Sequence, residues 1–183
     1  MERINFNKNV KMHKACFVEG SDAMSGMSSI LFKDGYAYAT NGYILVKNSL
    51  NECSNLPIAD IEALNGKRLS ASNYANILKY DTIAVSEDGI QAERGDNSVF
   101  FYFDNRDLKY PDVEKVLQDA MGEGVTSVQQ IEIDVDLLVK LKSALSCSSG
   151  CRLSFRGEFR PVIFSSLVSS SVGVIMPLIK NMV

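Results

Sequence analysis

Histidine is almost missing from this chain: His13 is the single one among 183 residues. Any Ser- or Cys-nucleophile arrangement that needs an imidazole base therefore has one candidate, and it sits in a polar, basic stretch that reads as solvated. A phosphate-cradling glycine loop is absent too. The nearest approach, Asn65-Gly66-Lys67-Arg68, lacks both the spacing and the hydroxyl residue that would hold phosphates and magnesium. There are four cysteines, Cys16, Cys53, Cys147 and Cys151. Cys147 and Cys151 form a lone pair with no second Cys/His pair at zinc spacing, so no metal site is expected. Carboxylates are scattered; Asp134 and Asp136 read as helix-start acids. No pair demands acid/base catalysis, so neither an enzyme nor a cofactor is expected.

Long apolar runs are also lacking. Glu2, Arg3, Lys8, Lys11 and Lys14 interrupt the first residues, which excludes a signal-peptide pattern there, and Lys8, Lys11 and Lys14 read as a mobile or strand-borne basic patch. Residues 172–179 are the longest apolar run near the C-terminus, far short of the roughly 20 residues of a membrane helix. The expectation is a soluble, cytoplasmic protein with no membrane contact. A net charge of −3 argues against a surface that grips nucleic acid all round by neutralising phosphates, though a local basic face remains compatible.

What is present is an ordinary globular composition, 46% hydrophobic and 22% charged, sufficient for one or two domains. Residues 29–47 read as strands around Lys33-Asp34-Gly35 and Asn41-Gly42, dipeptides that accept the positive backbone angles of tight turns. Residues 48–65, polar and broken by Pro57, read as a connection. A helix is predicted from about Ser70 to Tyr80, with Tyr74, Ile77 and Leu78 on one face. Residues 82–85 and 90–93 flank Glu87-Asp88-Gly89 as a hairpin, followed by an aromatic strand over 98–103. Residues 104–117 read as an extended linker. A new unit then starts with a strand over 130–133 and a helix from about Val135 to Leu145, whose stripe of Leu137, Leu138, Leu141, Ala144 and Leu145 faces a core. Three further strands are predicted over 152–155, 160–165 and 172–179.

Three stretches carry a resemblance: residues 37–46 (AYATNGYILV), 110–117 (YPDVEKVL) and 174–180 (VIMPLIK). In that order they resemble the bacterial sliding clamp family, the beta subunits of DNA polymerase III. Asn41 stands for the usual Asp, Tyr43-Ile44 for His-Arg, Gln118 for a proline and Ile179 for an Arg. The resemblance runs from roughly Met27 to Lys180 and implies an α+β, DNA clamp-like fold of repeated strand-helix-strands units, with antiparallel sheets and helices on one face. It further implies a domain over 1–108 resembling the middle clamp domain, a linker over 109–127, and a half domain over 128–183.

The same resemblance implies an apolar groove, with Thr40, Gly42, Tyr43, Ile44 and Leu45 on one wall and Val174, Met176, Pro177 and Leu178 on the other. The groove would take linear peptides of polymerase or repair partners. Losing the His-Arg and Arg positions removes positive charge from it, so peptide preference should differ from that of an ordinary clamp. Taken singly, each motif also reads as an ordinary hairpin or an edge strand ended by proline. Exposed helix positions Lys79, Lys140 and Lys142 are candidates for non-specific contact with double-stranded DNA, or plain solubility residues. Self-association as a homo-oligomer through unpaired sheet edges belongs to the same expectation. Two other readings stand beside it: a clamp-fold peptide-binding adaptor or competitor that never encircles DNA, and a thiol redox protein using Cys147 and Cys151.

Overall fold

In the computed structural model, which describes residues 4–17, 26–122, 128, 130–147 and 150–178, the two ends of the chain meet in one sheet. Ten strands are described: β1 (Ser29–Lys33), β2 (Tyr36–Thr40), β3 (Ile44–Ser49), β4 (Arg68–Ser70), β5 (Thr82–Val85), β6 (Gly89–Arg94), β7 (Asn97–Tyr102), β8 (Cys151–Ser154), β9 (Val162–Ser166) and β10 (Val172–Ile175). Seven of them form an antiparallel sheet in the order β4-β1-β2-β3-β10-β9-β8, and β5-β6-β7 form a second, three-stranded sheet. The units expected on either side of the linker thus share the larger sheet, through β3 and β10.

Period-two alternation sorts the side chains onto two faces. Ile30, Phe32, Ala37, Ala39, Ile44, Val46, Phe164 and Ile175 point into the main core. The helices α3 (Ala71–Ile77) and α5 (Val135–Ala144) close it, contributing Tyr74, Ile77, Leu141 and Ala144, and both pack on a 3-10 turn over Met12–Ala15. Each helix starts where its sequence says it should. The Ser70 hydroxyl accepts from Asn73 N–H, and the Asp134 carboxylate accepts from the N–H groups of Asp136 and Leu137, satisfying donors that a helix start leaves unpaired. The opposite face of the sheet shows Tyr38, Leu45, Ile163 and Val174, covered by α4 (Val113–Met121).

Four local expectations are corrected. The connection over 48–65 contains two short helices, α1 (Leu50–Cys53) and α2 (Ile58–Ala63), because Leu50, Cys53 and Ile61 are buried against the core. The extended linker contains α4: Val113, Leu117 and Ala120 fall at i, i+4 and i+7 behind an Asp112 cap, a helical period that its polar composition masks. Residues 130–133 join no ladder among the described residues; Glu132 C=O accepts one backbone bond from Leu178 N–H at 2.8 Å, and Ile131 and Ile133 pack on the core as a buried approach to α5. Lys8, Lys11 and Lys14 do not form a strand-borne patch: Lys8 pairs with Asp81 at 3.1 Å, Lys11 precedes the 3-10 turn and Lys14 lies within it.

The segment leaving β7 is pinned at Asp104. Its carboxylate, 6% exposed, accepts from Ser29 Oγ at 2.6 Å and from Arg106 Nε at 2.8 Å. These bonds, the Arg106 ones foremost, hold it well below the usual carboxylate range. A depressed folded value means stability that is present above the ordinary carboxylate pKa and lost as pH falls through the folded value. We expect Asp104→Asn to cost about 2–3 kcal/mol at pH 7, as loss of hydrogen bonds to a buried charge does, and to flatten the decline in stability on acidification, read by urea melts between about pH 5 and pH 2.

Gly173, paired with Val46 in the ladder, lies under α5: a Cβ there would sit 2.8 Å from Leu141 Cδ1. Gly173→Ala should cost about 1–3 kcal/mol by overpacking and Leu141→Ala about 2–5 kcal/mol by leaving a void. The double variant should cost clearly less than the sum, since the new methyl occupies part of that void; additive melts would contradict the packing.

Candidate functional site

The two sequence motifs are neighbours. β3 and β10 pair antiparallel, Leu45 opposite Val174 and Ile44 opposite Ile175, and Met176 N–H donates to Tyr43 C=O at 2.8 Å just past the ladder. The connection before β3 is built by side chains. Thr40 Oγ1 donates to Ile44 C=O at 2.7 Å and accepts from Gly42 N–H, while Asn41 Oδ1 accepts from the N–H groups of Tyr43 and Ile44. Gly42 holds φ at 88°, a conformation most side chains disfavour. Asn41 thus organises the turn through its amide oxygen, a role the usual Asp could also fill. The outcome is that Tyr43 is thrown outward, 63% exposed.

The nine expected groove residues therefore separate. Ile44 turns into the main core, and Leu45 and Val174 lie beneath α4. Thr40 and Pro177 are buried, Gly42 is exposed and Met176 is half-buried. Of the nine, Tyr43 and Leu178, which is 51% exposed, border one open space.

That space is a cleft of about 1000 Å³ between the strand ends, the 3-10 turn and helices α3 and α5. Phe17, Ala71, Ala75, Leu137 and Val139 give it an apolar wall. Lys140, Asp134 and Asp136 stand on its rim. Lys142 is exposed elsewhere on α5, and Lys79, in the turn just past α3, is exposed with its ammonium on Asn76 Oδ1 at 2.7 Å. A second hollow, about 400 Å³, is lined by Asn5, Asn7, Lys8 and Asp81, polar groups already bonded to the protein.

His13 and Phe17 are the site residues that sequence reasoning missed. Far from solvated, His13 is half-buried on the cleft wall beside the Tyr74 ring, and its Nδ1 has no hydrogen-bond partner among the described residues. Burial, then Lys14 and Lys11, lower its pKa, which favours the neutral ring. Leu137 was legible as a stripe residue, but its half-exposure at the cleft follows only from how α5 tilts against the turn at Met12–Ala15.

The four cysteines are free. Burial raises the Cys53 thiol to about 12 and pushes Cys16 higher still, and Cys151 is also raised, by burial and by Cys147. Raised thiols carry little thiolate, the opposite of what a redox centre needs. Among the described residues no cluster of His, Cys, Asp and Glu could hold a metal, and no helix is long and apolar enough to cross a membrane.

No family model and no curated protein matches the sequence. Solved structures do match the fold. The DnaN sliding clamp (DNA polymerase III subunit beta) from Bartonella birtlesii, bound to griselimycin, has a TM-score of 0.62 at 13% identity, covering 94% of this chain and 64% of its own. The beta subunit from Borrelia burgdorferi, in complex with a natural product, gives 0.62 at 11%, with 95% and 63% covered, and that from Thermotoga maritima 0.57 at 10%, with 95% and 62%. The chain spans just under two thirds of the length of these structures. Its paired motifs, antiparallel sheets and helix layer are thus a shortened form of the fold of the DNA polymerase III beta sliding clamps.

Proposed function

We propose that this chain is a non-enzymatic, clamp-like docking protein of DNA replication, which receives linear apolar peptides of polymerase or repair partners where β3 begins and β10 ends. One observation carries the reading: the Tyr43–Met176 backbone bond unites two motifs remote in sequence, and Tyr43 and Leu178 border a single apolar cleft. Ile44, Leu45 and Val174 act as a floor that fixes the strands, while Tyr43 and Leu178 supply the contact. Ligand sites of this kind are concave, mostly apolar and edged by few polar groups. With Tyr43-Ile44 in place of His-Arg, Lys140 and Lys14 are the cleft's basic groups, and Asp134 and Asp136 on the same rim offset their charge, which favours peptides that are apolar rather than strongly acidic.

Lys79, Lys140 and Lys142 are the companion proposal: non-specific contact with duplex phosphates from the helix layer. Titrating a fluorescent Gln-Leu-Phe-type peptide into the full chain should give micromolar binding, weakened about tenfold by Tyr43→Ala or Leu178→Ala, in line with roughly 1.4 kcal/mol of lost apolar burial each. No binding at high micromolar peptide contradicts the docking reading. With duplex DNA, three phosphate contacts predict a slope of log K on log salt of about −3, flattened by replacing the three lysines with Gln. Peptide binding without any salt-sensitive DNA affinity would select the adaptor that does not encircle DNA.

A further inference from the structure

An open sheet edge is a template for another strand, and the chain's own residues close its sheet edges unequally. β4 ends the larger sheet on one side, and its outward Arg68 C=O accepts from Asp104 N–H at 2.7 Å. β5 ends the small sheet, and its outward Ile83 N–H donates to Ile4 C=O at 2.8 Å. On β7, the other small-sheet edge, Tyr102 C=O accepts from Asn73 Nδ2 at 3.3 Å. β8 differs from all three: among the described residues it pairs with β9 alone, and its outer side makes no backbone bond.

The phase of the ladder fixes which β8 groups face outward. Ser166 N–H donates to Ser171 C=O at 3.0 Å, so Ser166, Phe164 and Val162 bond toward β10, while Ser165 and Ile163 bond toward β8. Their partners Arg152 and Ser154 therefore use their backbone groups on β9, and Leu153 between them turns its N–H and C=O outward. Leu153 lies opposite Phe164, which places its side chain on the main-core face at the rim of the sheet, 45% exposed. More apolar surface flanks it. Phe155 and Phe159 follow β8, Leu167 and Val168 follow β9, and all four are exposed. Leu167 reaches the start of β8, since a Cβ on Gly150 would lie 3.6 Å from its Cδ1.

We infer that β8 is a homodimer interface, in which two copies pair antiparallel about a two-fold axis at Leu153 and join their larger sheets into one. The strand is self-complementary in that register. Leu153 meets Leu153 of the second copy, Cys151 meets Phe155, and Arg152 meets Ser154, so no like charges lie directly opposite. The two-fold axis keeps both main-core faces on one side, and it lays the start of one β8, beside Leu167, against the end of the other, beside Phe155. β7 is the poorer candidate. Pairing with itself about Phe100 would set Asp96 against Asp104, and one of its outward carbonyls is already bonded. Phe103 N–H donates to Asp88 C=O at 2.9 Å, so Phe100 is an outward residue of β7, on the face opposite to buried Phe101. Antiparallel pairing of β8 with β7 of another copy would therefore set the main-core face of one copy beside the outer face of the next.

Sedimentation equilibrium on the full chain tests the interface. The mass should rise with concentration from 20.2 kDa toward twice that value, with a micromolar dissociation constant, since so short a ladder is a small interface. Leu153→Lys and Leu153→Glu each set like charges across the axis, and each should hold the chain at monomer mass. Both should melt as wild type does, because the side chain is half exposed and its backbone groups are not used by β9. Mixed one to one, the two variants should recover a dimer about tenfold tighter than either alone forms, a rescue that only residue 153 facing its own copy provides. A wild-type chain that stays monomeric at high micromolar concentration overturns the inference. So do single variants that still dimerise, a mixture that recovers nothing, or masses that climb past the dimer, as pairing of β8 with β7 would give.

Discussion

The antiparallel ladder between β3 and β10 is the interaction on which the rest of the molecule depends. It joins residues 44–47 to residues 172–175, and bringing such distant segments together carries a loop-closure cost that only dense packing can offset. Both faces supply that packing. Ile44 and Ile175 enter the core shared with α5, and Leu45 and Val174 enter the cluster under α4. The ladder also makes the larger sheet continuous, since β4, β1 and β2 extend it on one side and β9 and β8 on the other.

Where local chemistry decides the structure, the sequence was legible. The Asp34-Gly35 turn has positive φ at both residues, Ser70 and Asp134 cap the helices they were read to start, and the hairpin at Glu87-Asp88-Gly89 stands as β5 and β6. The ladder itself was not legible from periodicity; it came from the resemblance, and no local signal in ILV or VGV names a partner strand. The misses share a cause. Residues 50–53, 58–63 and 113–121 are polar enough to read as connections, but a few buried side chains, Leu50, Cys53, Ile61, Val113 and Leu117, find apolar surface and fold the segments around them.

The site shows the same division between what chemistry fixes and what packing decides. All nine proposed groove residues lie on or beside the two paired strands, yet alternation sends neighbours to opposite faces, and a list read along the chain could not tell floor from rim. Tyr43 reaches the cleft because Thr40, Asn41 and Gly42 turn the chain outward. Leu178 reaches it because its N–H is taken by Glu132 C=O after β10 has ended. His13 and Phe17 meet them from the N-terminal turn, with no motif to announce it. The clamp fold supplies the scaffold; the replacements at Tyr43 and Ile44 change the charge and shape of what that scaffold offers.

Cross-strand contacts seen by NMR test the central pairing most directly. In this register Ile44 and Ile175 form a non-hydrogen-bonded pair, as do Val46 and Gly173, with Cα atoms about 4.5 Å apart. The pairing predicts strong Hα–Hα cross-peaks between Ile44 and Ile175 and between Val46 and Gly173, together with slow exchange of the Met176 amide. Absence of both cross-peaks from a folded sample, or cross-peaks placing either strand against a different partner, would contradict it.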